Sequence, residues 1–155
     1  MEVIRNIKLT EFGLEGEVFF KCFNKYISLF VEDGEDTEYA QICARYLNEL
    51  TDPTIIRLCE ASIRYCNNFL DAVGEPLKTF EKAIDVLKLI SPSVLIVPYP
   101  ENGDEPVIHL ELNCEWEPEH GLEWIVRADK VLYVGAFNGE YSWDEFSSSD
   151  LGNYA

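Results

Sequence analysis

Basic side chains are scarce in this sequence. Lysine and arginine together number 12 against 29 aspartates and glutamates, for a formal net charge of −17 and a pI near 4.3. The few cations are dispersed, from Arg5 and Lys8 to Arg127 and Lys130, so no basic stripe exists for a polyanion to follow. Nucleic acid is thereby excluded as a partner, and an anionic membrane surface is disfavoured for the same reason. No apolar run approaches the ~20 residues of a membrane-spanning helix. The opening segment, MEVIRNIKLT, lacks a basic region followed by an apolar one, so a cytosolic protein is expected.

Motifs of established chemistry are missing as well. There is no G-x-S-x-G, no H-E-x-x-H, no glycine-rich phosphate loop and no G-x-G-x-x-G, and no cofactor is expected. None of the five cysteines forms a C-x-x-C pair, and disulfides are not expected in the cytosol. Carboxylates are abundant enough for some pair to serve as general acid and base, but abundance carries no specificity.

What is present is the composition of a folding chain. Apolar residues make up 47% and aromatics 13% of 155 residues, enough to bury a core, and a single domain spanning residues 1–155 is expected. Extended segments are predicted at residues 3–9, 14–22 and 26–31. In the second, Leu14, Gly16, Val18, Phe20 and Cys22 share one face, the period of a half-buried strand. A helix follows EDGEDTEY, with Asp33 or Asp36 as N-cap and an apolar stripe of Tyr39, Ile42, Cys43, Tyr46, Leu47 and Leu50. A second helix is predicted with Asp52 as N-cap and Pro53 in its first turn. Its stripe is Ile56, Cys59, Ile63, Cys66, Leu70 and Val73, and it ends at Gly74.

A third helix is predicted over residues 76–90, burying Leu77, Phe80, Ile84 and Leu87, and stopped by the Ser-Pro-Ser at 91–93. A short strand is expected at 94–97, then strands at 107–116, 122–127 and 131–137, the last two joined by a tight turn at Arg-Ala-Asp-Lys. Strands, helices, then strands imply an α+β fold: a mainly antiparallel sheet built from the N-terminal and C-terminal strands, with two or three helices inserted between them. The acidic, aromatic tail at 138–155 either docks on the body or stays loose.

Cys22, Cys43, Cys59, Cys66 and Cys114 all fall on apolar faces and read as core thiols. His109, Glu111, Asn113 and Glu115 lie on the opposite, polar face of the strand that carries Cys114. Metal binding therefore has one geometric candidate, His109 and Glu111 with His120, set against a solvated or hydrogen-bonded polar face.

The segment CEWEPEHGLEWIV crowds acids, two tryptophans and His120 between apolar runs. Pro118 and Gly121 make it a tight connection, in which Glu119 accepts backbone N–H groups and His120 closes the loop. Trp116 and Trp124 are expected to pack together. Through Trp116, Glu119, His120, Gly121, Tyr133, Val134 and Gly135, the last third of the chain resembles the C-terminal signature of a family of small, acidic, uncharacterised bacterial proteins, a domain of unknown function. The resemblance implies an immunity-type or other protein-binding role and carries over no catalytic residue.

The leading expectation is a non-enzymatic protein-binding module that engages a basic protein partner through Trp116, Glu117, Glu119, His120, Trp143 and Asp144, with exposed aromatics as anchors. The alternative is a small metal-binding protein or hydrolase using His109, Glu111 and His120.

Overall fold

A computed structural model describes residues 2–155. Seven strands form one sheet in chain order: β1 (Ile4–Thr10), β2 (Gly13–Phe20), β3 (Lys25–Val31), β4 (Ile90–Val97), β5 (Val107–Cys114), β6 (Leu122–Arg127) and β7 (Lys130–Gly135). Every neighbouring pair is antiparallel except β3 and β4, which run parallel. A parallel pair needs a long crossover, and α1 (Thr37–Asn48) and α2 (Asp52–Ala72) supply it. The fold is α+β with a mainly antiparallel sheet.

Both helices cover the same face of the sheet, and strand parity decides which side chains meet them. Val18 and Phe20 of β2, Ile27, Leu29 and Val31 of β3, and Ile108, Leu110 and Leu112 of β5 join Leu47, Leu58, Cys59 and Cys66 in one continuous core. Trp124 is 1% exposed and its indole N–H donates to Ser62 Oγ at 3.0 Å. Ser62 in turn donates to the Leu58 carbonyl at 2.7 Å. These two buried polar groups are thus satisfied, as burial requires, whereas the buried indole N–H of Trp116 in the same core has no partner. Truncating a core leucine such as Leu58 or Leu110 to alanine costs about 2–5 kcal/mol.

Helix ends follow their sequence signals with one shift. Asp36 caps α1 and accepts the Tyr39 N–H at 2.9 Å. The cap of α2 is Thr51 and not Asp52, which becomes the first helical residue beside Pro53, a first-turn position where the dipole favours its charge. At the other end Gly74 takes φ +76°, while the N–H groups of Glu75 and Gly74 reach back to the carbonyls of Leu70 and Asp71, the Schellman arrangement. The buried face of α2 keeps Cys59, Cys66 and Leu70 of the expected stripe but is rotated away from its other members. Leu58, Ser62 and Tyr65 are buried, whereas Ile56 and Val73 are 44% and 52% exposed.

The helix predicted at 76–90 is absent. Asn67 brackets the backbone of Lys78, accepting its N–H at 2.8 Å and donating to its carbonyl at 3.0 Å, which holds that stretch open against α2. Only Ala83–Leu89 winds, as a 3-10 helix with Val86 inside, and Leu77 and Ile84 face solvent. The Ser-Pro-Ser segment lies within β4, whose pairing with β5 shifts register between Pro92 and Val94; proline is tolerated in a sheet at such an irregularity. Cys22 lies outside β2, in a 3-10 turn at Lys21–Phe23, and is half-buried. The Arg127 to Lys130 connection is the tight turn expected, with Ala128 and Asp129 at φ +49° and +59°, as a two-residue hairpin of primed type requires.

Candidate functional site

The sheet face away from the helices is covered over only half its width. Across β5, β6 and β7 the outward residues Val107, Ile125 and Tyr133 are buried, and Leu132, Trp143 and Phe146 pack against them. The C-terminal segment therefore docks. Its last residues also reach the β7 edge: the Tyr154 N–H donates to the Val134 carbonyl at 2.8 Å, and the Val134 N–H donates to Asn153 Oδ1 at 3.3 Å. Arg64 of α2 donates two hydrogen bonds to the Tyr154 carbonyl.

Beneath this segment lies a buried polar chain that alternation places on the outward face of β5 and β6. Glu123 is 0% and His109 2% exposed. One Glu123 oxygen accepts the Asn138 N–H at 2.9 Å; the other accepts the Glu140 N–H at 3.0 Å and pairs with His109 Nε2. Ser142 Oγ lies 2.7 Å from His109 Nδ1. Two backbone N–H donors and a ring N–H converging on one carboxylate suit its ionised form, which makes Nε2 the donor and leaves Nδ1 to accept from the Ser142 hydroxyl. Arg127 completes the attachment, donating to the Ser142 carbonyl at 2.5 Å and to the Asp144 carbonyl at 3.2 Å. Its guanidinium sits 5.6 Å from the centre of the Trp143 ring, and the Trp143 indole N–H donates to the Tyr99 carbonyl at 2.9 Å.

This chain occupies one end of the sheet, and the topology fills that end with acid. Because β3 and β4 are parallel, the chain leaves both at the same end, where β5 begins. Residues 32–36 carry Glu32, Asp33, Glu35 and Asp36; residues 98–106 carry Glu101, Asp104 and Glu105; residues 138–145 carry Glu140, Asp144 and Glu145; none of the three segments contains lysine or arginine. Hydrogen bonds tie them together: Glu32 N–H to the Val97 carbonyl, Tyr39 hydroxyl to the Glu105 carbonyl, and Tyr141 hydroxyl to Glu101. An open cavity of about 440 Å³ lies here, and Glu32, Tyr99, Glu140, Tyr141 and Ser142 are part of its wall. The bond to Glu101 holds the Tyr141 hydroxyl above its ordinary pKa, with burial adding to the effect.

The loop between β5 and β6 sits at the far end, about 25 Å away by the rise of the eight residues of β5. Gly121 takes φ +67° and a Cβ there would lie 2.6 Å from the Leu112 carbonyl oxygen, so glycine is required. His120 does turn back into the loop: its Nδ1 lies 2.7 Å from Glu117 Oε2. Glu117, and not Glu119, accepts backbone N–H groups, from Glu119 at 3.1 Å and His120 at 3.4 Å. The mutual bond raises the His120 pKa and lowers that of Glu117.

The residues expected to act together are thus dispersed. His109 belongs to the buried chain with Glu123, Glu111 faces Glu123 across the β5 and β6 pairing, and His120 is at the exposed loop. Among the described residues, the group of histidine, cysteine and acid side chains whose ligand atoms lie within 4.8 Å of one another is Glu117, Glu119 and His120. Trp116 is no exposed anchor: it is 6% exposed and packs edge-on against Tyr65 at 5.7 Å rather than on Trp124, because β5 ends at Cys114 and the chain turns away before it. Trp143 is half-buried and Asp144 exposed, both at the acidic end. The cysteines read as core thiols are buried except Cys22, and burial pushes Cys59 and Cys114 up to about 12.

Ser142 lies outside every sequence-based candidate. Alternation already set His109 and Glu123 on outward faces of their strands, but no periodic signal in the tail marks the serine. No helix among the described residues is long and apolar enough to cross a membrane. No curated protein and no solved structure matches the chain. A family model does match, over residues 3–141, and so takes in the whole sheet and both helices, His109 and Glu123 included. The chain belongs to the family described as a domain of unknown function, DUF6985.

Proposed function

We propose that this protein is a protein-binding module that engages a basic partner through the acidic end of its sheet. The observation that supports the reading most directly is the gathering there of three loop segments rich in carboxylate and free of lysine and arginine. A field of one sign, concentrated at one end of a chain carrying −17 overall, speeds the encounter with a cationic partner and orients it before contact. Arg127, at the end of β6, donates to carbonyls of the tail and sets one positive charge against the ten carboxylates of these segments. Trp143 and the exposed Tyr99 and Tyr141 supply aromatic surface beside the charge, the kind that gives an interface persistence. In its most concrete form the partner is a basic toxin and the role immunity-like, as the family resemblance suggests.

Location-matched variants test this. Changing Glu32, Glu101 and Glu140 to glutamine removes three charges at the acidic end; changing the exposed Glu11, Glu60 and Glu75 removes three elsewhere. Partner capture from the native host at low salt is expected to fall at least ten-fold with the first set and to change little with the second. Equal losses would reduce the effect to net charge and remove the site from the proposal.

A further inference from the structure

Binding a basic partner makes no use of a buried histidine, and fastening the tail needs no cavity beside the fastener. Yet His109 and Ser142 both contribute to the wall of the 440 Å³ opening at the acidic end, a volume within the range of small-molecule sites, ~300–1,000 Å³. We propose that this opening is an acyl-transfer site, in which Ser142 Oγ is the nucleophile, His109 the general base and Glu123 the group that positions His109.

Each requirement of that chemistry has a counterpart on named atoms. The serine hydroxyl is 2.7 Å from Nδ1, within reach for direct proton transfer. The other ring nitrogen is bound to Glu123, whose carboxylate is fixed by the N–H groups of Asn138 and Glu140 and so cannot swing away as positive charge develops on the ring. The imidazole is used with Nδ1 toward the nucleophile and Nε2 toward the carboxylate. What the chemistry demands is a basic nitrogen at the hydroxyl and an anion at the other nitrogen, and roles rather than atom labels define such a group. Ser142 is 4% exposed, so a substrate reaches it through the cavity.

The steps balance without any further reactant than water. As Ser142 Oγ bonds to an acyl carbon, its proton passes to His109 Nδ1. The bond from that carbon to the leaving oxygen or nitrogen breaks, and the leaving group takes the proton from Nδ1. Water then gives a proton to Nδ1 as its oxygen adds to the acyl carbon, and the serine oxygen departs with that proton. One water is consumed, and one carboxylic acid and one alcohol or amine are released. Glu32, Glu101 and Glu140 in the cavity wall, with the Tyr99 and Tyr141 rings, favour an ester or amide that carries a positive charge near the acyl group.

The test uses the full-length protein and a small dialkyl fluorophosphate, with the adduct located by peptide mass. Labelling at Ser142 is expected to be at least ten-fold faster in the folded protein than in urea, and Ser142→Ala is expected to abolish it. Glu123→Asp, which keeps a carboxylate, is expected to shift the pH midpoint of labelling without eliminating it, a readout that lost packing alone would not move. An unmodified Ser142 in the folded wild type, or labelling no faster than in urea, overturns the proposal; the wild-type map decides this even if a variant fails to fold. Nitrophenyl esters of a cationic and a neutral acyl group settle substrate charge: faster turnover of the cationic ester supports it, and equal rates overturn that part. Labelling is read on the wild-type protein without a partner, and capture on the location-matched glutamate variants, so failure here and failure of the binding proposal read out separately.

Discussion

Replacing Glu123 by leucine tests the buried chain most sharply. The side chain is 0% exposed, so the substitution keeps roughly the volume and removes the acceptor for three donors: His109 Nε2, Asn138 N–H and Glu140 N–H. Each buried donor left without a partner costs about 1–3 kcal/mol, and bonds to a charged acceptor lie at the upper end of that range. The three donors share one acceptor, so their costs do not sum, and a loss of about 4 kcal/mol is expected, against a total stability of about 5–15 kcal/mol. With a urea slope of about 2 kcal/mol/M, the midpoint falls by about 2 M, which tryptophan fluorescence follows directly. The tail should loosen first, so limited proteolysis is expected to cut within residues 138–155 before the body. Adding His109→Leu should recover part of the loss, since it removes the imidazole that Glu123→Leu leaves without a partner. A loss under about 1 kcal/mol, or strict additivity of the two changes, refutes the reasoning.

Other expectations follow from the far loop and the thiols. The His120 pKa is raised in the fold, so its contribution to stability is present below 6.5, its ordinary value, and is lost as pH rises through the folded one; that of Glu117, lowered, is present above 4.5 and lost as pH falls through its folded value. His120→Gln should therefore flatten the stability profile on the alkaline side of 6.5, and an NMR titration should place His120 above that value. Gly121→Ala is expected to cost about 1–3 kcal/mol in denaturant unfolding, from its positive φ and the Leu112 carbonyl a Cβ would meet. Iodoacetamide at pH 8 should modify at most Cys22 in the folded protein and all five cysteines in denaturant, because burial raises every thiol pKa and closes off four of them.

Alternation and punctuation make much of this fold legible in the sequence. The β6 strand was readable to the residue, because Gly121 and the Arg-Ala-Asp-Lys turn bound it on both sides. The α+β arrangement followed from the order of periodic segments. Two kinds of information were not local and did not show. The stretch at 76–90 has a helical spacing of apolar residues, but Asn67, on the preceding helix, brackets the backbone of Lys78 and keeps its first half out of a helix. The face of α2 is only partly legible: Cys59, Cys66 and Leu70 show it, but Ser62 and Tyr65 read as polar and are buried because Trp124 and the Gly121 carbonyl meet them. At the site, parity put His109 and Glu123 outward, and outward reads as solvated until a tail covers it. The covering residue, Ser142, sits in a segment without a period, so nothing in its neighbourhood could point back to a histidine 33 positions earlier.

The central claim is that the acidic end is where a basic chain docks. Backbone NMR of the labelled protein, titrated with an unstructured peptide rich in lysine and arginine, tests it residue by residue. The account predicts shifts concentrated in residues 32–36, 98–106 and 138–145, fading as salt shortens the Debye length below about 8 Å. Shifts centred on residues 115–121, or spread evenly over the acidic surface, would contradict it.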